Sequence, residues 1–309
     1  MNIPPAQINN RSQIKADLWL LVLTAIWGTS FPLVKIALRD IGAPILISMR
    51  FWIGGICLGL FILIKGYLIT RRVIRDGMIL GVFMFAGIFF QTVGLKYTTA
   101  AKSGFLTGLS VVFVPILVIA IEKRRPHPRA VFGAVAAAAG VFILTSPKAD
   151  PFNIGDLFTL LCAVSFAFQI IFVEMLVRKK RELSTAFCMI LTTAILGTIS
   201  IPLTGDLLFN WSHSHFFILF WISVVCTAFA FWMQIKWQPG TTATTAAVIY
   251  TMEPVFALLF AMVFIGEKLS PAGFAGGLCI MFGILIAESG NRPFFQNIFR
   301  PAHLSHKRH

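Results

Sequence analysis

Apolar residues fill this chain in long unbroken runs. They do not alternate as in a half-buried strand, nor form the narrow stripe of a soluble surface helix. Ten runs stand out, at about 17–38, 43–64, 77–95, 98–121, 129–146, 155–177, 184–204, 215–235, 241–265 and 270–288. Each is close to the roughly 20 residues that a helix needs to cross the hydrocarbon core of a bilayer. The pattern predicts an all-α integral membrane protein with ten transmembrane helices. The first run follows Arg11 and Lys15, as the apolar part of a secretory signal does. It is longer than such a segment and carries no A-x-A site, and nine runs follow, so a retained helix is expected.

Composition sharpens this picture. Of 309 residues, 57% are hydrophobic and 12% charged, against about 45–50% and about 25% in an ordinary soluble domain. That argues against a soluble enzyme, a disulfide scaffold or a disordered chain. Ten spans leave no room for a sizeable soluble domain. Cys57, Cys162, Cys188, Cys226 and Cys279 all lie within apolar runs without a CxxC pair, and read as small core residues rather than metal ligands. No P-loop, HExxH, dinucleotide turn or GxSxG occurs, so neither a cofactor nor ATP hydrolysis is expected. His213-Ser-His215 is a weak metal pattern without a third ligand.

The net charge of +14 would suggest nucleic acid in a soluble protein. Here the basic residues sit between apolar runs, so membrane topology is the reading and no nucleic-acid partner is expected. With the N-terminus inside, the inner connections and tail hold nineteen Lys and Arg, including Arg178-Lys-Lys-Arg181 and Lys123-Arg-Arg125. The outer connections hold four: Arg39, Lys96, Lys148 and Lys268. This bias predicts a multi-pass protein of a cytoplasmic (inner) membrane with both termini cytoplasmic.

The two halves repeat in order. Asp17-Leu-Trp recurs as Asp156-Leu-Phe, and Leu95-Lys96-Tyr97 as Ile235-Lys236-Trp237. Glu122-Lys123 with Pro126 recurs as Glu267-Lys268 with Pro271, and Gly133 with Gly140 as Gly276 with Gly283. Five helices per repeat is an odd number, so the second copy is inverted. The charges agree, because Glu122-Lys-Arg-Arg is basic and its partner Glu267-Lys-Leu-Ser is nearly neutral. The expected organisation is an N-terminal segment (1–16), a first five-helix repeat (17–146), a linker (147–154), a second five-helix repeat (155–288) and a basic tail (289–309).

Trp27-Gly28-Thr29-Ser30, the stretch from Gly94 through Lys102-Ser103-Gly104 to Gly108, and Glu253-Pro254 with Gly266-Glu267-Lys-Leu resemble the EamA group of the drug/metabolite transporter superfamily. The likeness spans about 17–288. It implies a transporter of small organic solutes, often an exporter of amino acids or related metabolites, with a central cavity between the repeats. One departure is visible: the first repeat has no Glu-Pro pair, and its proline falls later, at Pro115.

Glu253 is the sharpest chemical signal. A carboxylate in the middle of a membrane helix costs roughly 2.5–3.5 kcal/mol by insertion scales, so it should face a cavity or a partner. It is the proton-coupling candidate; a structural salt bridge with Arg50 or Lys102, or helix packing alone, is the other reading. Arg50 and Lys102 each lie about seven residues inside the outer ends of their runs, roughly 10 Å deep. They read either as an electropositive vestibule for a carboxylate or as side chains that snorkel to the interface. Lys35, nearer a helix end, reads as snorkelling. Pro32, Pro115 and Pro254 kink their helices and free the carbonyls of Gly28, Val111 and Tyr250. Those groups need either a cavity or Ser and Thr hydroxyls to satisfy them.

Trp27, Ser30, Gln91, Gln169, Trp232, Tyr250 and Thr251 complete the expected lining, with core packing as the plainer role for the aromatics. Glycine pairs such as Gly77-x3-Gly81 read as intramolecular packing, and a monomer is favoured over a homodimer. The expected function is a secondary transporter, an efflux carrier for amino acids or related amphipathic solutes. It would work by alternating access between the repeats, with coupling to protons. Carriers for drugs, nucleosides or phosphorylated metabolites are the alternatives within the superfamily. A membrane-embedded lipid-modifying enzyme is the rival from another class, and no catalytic residue is assigned.

Overall fold

A computed structural model describes residues 10–98, 100–123, 125–145, 153–177, 181–256, 259–260 and 271–289. Among them the chain is helical almost throughout, and an isolated antiparallel bridge joins Ile41 to Phe209. The helices in order are α1 (Asn10–Gly28), α2 (Ser30–Ala37), α3 (Ala43–Lys65), α4 (Arg71–Tyr97) and α5 (Ala100–Gly108). Then come α6 (Ser110–Glu122), α7 (Pro128–Thr145), α8 (Ile154–Leu176) and α9 (Glu182–Thr204). Next, α10 (His213–Phe220) runs through a π-helical stretch (Trp221–Phe229) into α11 (Ala230–Trp237). α12 (Ala243–Tyr250) and α13 (Pro271–Ser289) follow.

Among the described residues, six helical spans are long and apolar enough to cross a membrane: Ser12–Ala37, Ala43–Lys65, Arg71–Tyr97, Ile154–Leu176, Glu182–Thr204 and His215–Gly240. Leu106–Glu122, Pro128–Ile143 and Phe274–Ala287 are shorter apolar helices. The far half of the run expected at 241–265 lies largely outside the described residues.

Several edges differ from the hydropathy reading. α1 begins at Asn10, inside the segment expected to precede the first span, because its polar residues Gln13 and Asp17 are buried by neighbouring helices. α4 begins at Arg71 rather than 77, where the Thr70 hydroxyl accepts from the Val73 N–H and caps the charged first turn. Hydropathy counts such turns as connection because it weighs water affinity, not backbone hydrogen bonding.

Three of the expected spans are broken. α1 stops at Gly28 and α12 at Tyr250, each four residues before a proline, where the ring displaces the carbonyl. A threonine hydroxyl bonds back into the last turn before each break: Thr29 Oγ1 donates to Ile26 O at 2.7 Å, and Thr251 Oγ1 to Val248 O at 2.6 Å. Pro115 behaves otherwise. It sits inside α6, and the break falls upstream at Leu109, just past Gly108.

Small residues set the packing. Gly77 and Gly81 of α4 lie against Cys188 and Thr192 of α9. Gly133 of α7 faces Gly283 of α13, and Gly140 faces Gly276. α4 also packs on α8, α3 on α9 and the π-helical stretch, and α1 on α11 and α12. Large apolar side chains, among them Leu63, Leu203 and Phe216, stay exposed on the flanks, as a lipid-facing surface requires.

Candidate functional site: a central cavity at the helix breaks

The breaks converge on a cavity that, with the solvent space it opens into, spans about 750 Å³. It is lined at the breaks by Ser30, by Gly108 and Ser110, and by Tyr250 and Glu253. Met84, Ile88, Phe166, Ile170 and Phe231 form apolar walls. Helix breaks place backbone and polar side chains where a continuous apolar helix would present only methyl and aromatic groups. Such breaks are tolerated at membrane depth where they face a cavity.

The structure brings Trp27, Ser30, Arg50, Gln91, Gln169, Tyr250 and Glu253 to this one cavity. Trp27 packs edge-on to Tyr250, with ring centroids 5.5 Å apart, and donates its indole N–H to Cys226 O at 3.2 Å. Gln91 donates to Thr107 Oγ1 at 3.2 Å. Trp232 is placed elsewhere: it stands beside Phe229 and under the Lys236 ammonium, away from the cavity lining. Thr251 is buried, its hydroxyl spent on Val248 O. The Lys102 side chain lies outside the described residues. Lys35 is exposed, as snorkelling predicts.

Arg50 and Glu253 bring a guanidinium and a carboxyl group into the same space. Arg50 is 6% exposed. Its Nε donates to Thr227 Oγ1 at 2.6 Å and its Nη2 to Cys226 O at 3.4 Å. No described carboxylate comes within 4.0 Å of the guanidinium, so the Arg50–Glu253 salt bridge weighed from the sequence is not formed. Glu253 feels the charge of Arg50 yet makes no hydrogen bond to a described residue.

Beyond Gln169 the cavity ends on an amide network that the sequence reading missed in part. Gln169 and Gln234 exchange hydrogen bonds at 3.2 and 3.1 Å. Gln234 also donates to Gln238 Oε1 at 3.0 Å, and the Tyr250 hydroxyl donates to the same oxygen at 3.1 Å. Gln238 Nε2 closes the network on Ile170 O at 2.7 Å. The network ties α8, α11 and α12 together. An amide inside an apolar run flagged Gln91 and Gln169, and the same signal is present at Gln234. Gln238 lies between two expected spans, and Thr227 looks like any helix threonine, so neither was marked.

A helical bundle with apolar flanks and a partly polar internal cavity is the architecture of a multi-pass membrane protein. The EamA-like transporter family matches residues 14–146 and again 153–288, and the chain belongs to that family and hence to the drug/metabolite transporter superfamily. An uncharacterized transporter of Archaeoglobus fulgidus is 32% identical over 276 residues, covering 89% of this chain and 86% of its own. The uncharacterized transporter YwfM of Bacillus subtilis is 25% identical over 302 residues, covering 94% and 98%. A crystal structure with 20% identity superposes over 93% of this chain and 99% of its own with a TM-score of 0.74, which shows a shared fold.

Proposed function

We propose that this chain is a secondary carrier that exports amino acids or closely related zwitterionic metabolites across the cytoplasmic membrane. The observation that supports this most is that Arg50 and Glu253 face one cavity without pairing with each other. A buried guanidinium and a half-buried carboxyl group that do not pair with each other each need a partner. A zwitterion supplies both at once, its carboxylate to Arg50 and its ammonium to Glu253. The aliphatic and aromatic walls suit an apolar side chain. Neutral nucleosides and phosphorylated sugars lack that paired complement.

In this reading the chain forms ten spans in two inverted repeats, with both termini cytoplasmic, and works as a monomer. The crossed packing of α7 and α13 supports the inversion. Gly133 and Gly276 match in the two halves, as do Gly140 and Gly283, and Gly133 touches Gly283 while Gly140 touches Gly276. A two-fold axis in the membrane plane produces that exchange. Rocking of the repeats about the cavity exposes the substrate to each side in turn. Glu253 carries a proton when it does not hold an ammonium.

The test is counterflow in proteoliposomes, with L-leucine as first probe. Wild-type protein exchanges labelled leucine saturably, and an outside-acid pH gradient drives leucine out of the vesicle lumen that corresponds to the cytoplasm. Arg50→Gln raises the leucine KM at least tenfold. Glu253→Gln abolishes the response to the gradient. Leucine exchange that keeps its pH dependence in Glu253→Gln removes the proton role. Exchange confined to nucleosides or phosphorylated metabolites overturns the substrate class.

A further inference from the structure

The wall behind Arg50 is unusual in its backbone. Trp221–Phe229 is nine residues of π-helix, a form that is rare and found mostly as short bulges at functional sites. The wider turn is visible at Thr227, whose hydroxyl donates five residues back to Ile222 O at 2.7 Å. That spends its single proton, so the lone pair facing Arg50 Nε can only accept. Cys226 O, on the same turn, accepts from both Arg50 Nη2 and Trp27 Nε1. Gly54, one turn along α3 from Arg50, lets the two helices close up: a Cβ built there would stand 3.0 Å from Ser223 O and 3.2 Å from Thr227 Cγ2.

The guanidinium has two edges able to meet a carboxylate with paired N–H groups. The edge made by Nε and Nη2 is docked on the π-helical turn. Nη1 donates to no described residue. We propose that Thr227 is a positioning residue: it fixes the Nε edge of Arg50 to the π-helical turn so that the Nη1–Nη2 edge faces the cavity as a two-pronged receptor for the substrate carboxylate. This deepens the carrier reading above and rests on it. Trp27 shares the Cys226 carbonyl, so the cation and the aromatic wall are registered to one turn of backbone.

The experiment compares Thr227→Val, Thr227→Ala and Thr227→Ser in leucine counterflow, with L-leucinamide, which lacks the carboxylate, as competitor. Valine and alanine remove the acceptor, and serine keeps it. Thr227→Val and Thr227→Ala raise the leucine KM about tenfold, leave the maximal rate within about threefold and leave inhibition by leucinamide unchanged. Thr227→Ser restores the wild-type KM. Alanine keeps the test open if valine crowds the turn, and a detergent thermal melt checks that each variant is folded. A folded Thr227→Ala with wild-type leucine KM, or equal losses for leucine and leucinamide, overturns the positioning role while Arg50→Gln still shows its effect. An Arg50→Gln protein with unchanged leucine KM, or a wild-type protein that exchanges no leucine, overturns the underlying reading and this inference with it.

Discussion

The floor of the cavity and the loop clasp at 38–42 and 205–215 both join distant parts of the chain, but by different chemistry. On the floor, Gln169, Gln234 and Gln238 are each 2% exposed or less and meet as neutral amides with the Tyr250 hydroxyl. In the clasp, Asp206 pairs with Lys96 and accepts from the Ala43 N–H, while buried His215 meets half-exposed Asp40 at 3.1 Å. Backbone bonds support this: Gly42 N–H to Leu208 O at 2.7 Å, and Asn210 N–H to Asp40 O at 2.8 Å. A neutral network inside apolar packing is indifferent to salt, and each lost partner leaves a dry polar group. Charge pairs in contact with water are screened and individually weak. The floor is therefore the more costly place to lose a bond.

The contrast is broken most directly at Gln238. Gln238→Leu deprives the Tyr250 hydroxyl and a Gln234 N–H of their partner and takes a second donor from Ile170 O, at about 1–3 kcal/mol for each group left dry. The thermal midpoint in detergent falls by about 5 °C or more on that scale. A midpoint unchanged from wild type would show that the network adds nothing to the floor. Tyr250→Phe is the smaller change: one hydroxyl is removed and Gln238 Oε1 keeps its bond from Gln234, so a loss of about 1 kcal/mol is expected in the same melt.

The smallest effect belongs to the clasp. Asp206→Asn costs less than about 1 kcal/mol, and 1 M salt reduces the difference from wild type while leaving the Gln238→Leu difference intact. The pH dependence has a definite sign. Partial burial pushes the Asp206 carboxyl up, but the hydrogen bond and charge of Lys96 and the Ala43 N–H outweigh it and hold the carboxyl below the usual carboxylate range. Its contribution is thus complete above about pH 4 and is lost as the pH falls through the lowered value. Melts of wild type and Asp206→Asn should converge under acid conditions. Convergence on the alkaline side instead would mean that another group governs the clasp.

Much of this was legible in the chain. Apolar run length alone located the long helices, because a bilayer span must satisfy its backbone internally and present apolar side chains outward. Glu253, Arg50, Gln91 and Gln169 were legible for the converse reason: a charge or amide inside such a run must find a cavity or a partner. Trp232 has the same local character as Trp27, and only packing separates them, since Trp27 turns to Tyr250 and Phe231 while Trp232 lies under Lys236. Pro115 shows the limit of a local rule, because the break it was expected to make falls at Leu109 instead.

By itself the sequence determined a membrane-embedded helical bundle, its family and most of the polar residues that enter its cavity. These follow from transfer energies and from short motifs, which act residue by residue. Tertiary structure alone decided that Arg50 and Glu253 do not pair with each other, that Gln234 and Gln238 close the floor, and that a π-helical turn holds the guanidinium. Those outcomes depend on the relative placement of α3, α8, α11 and α12. Distances between separate helices are set by the packing of many side chains at once, and no single stretch of sequence encodes them.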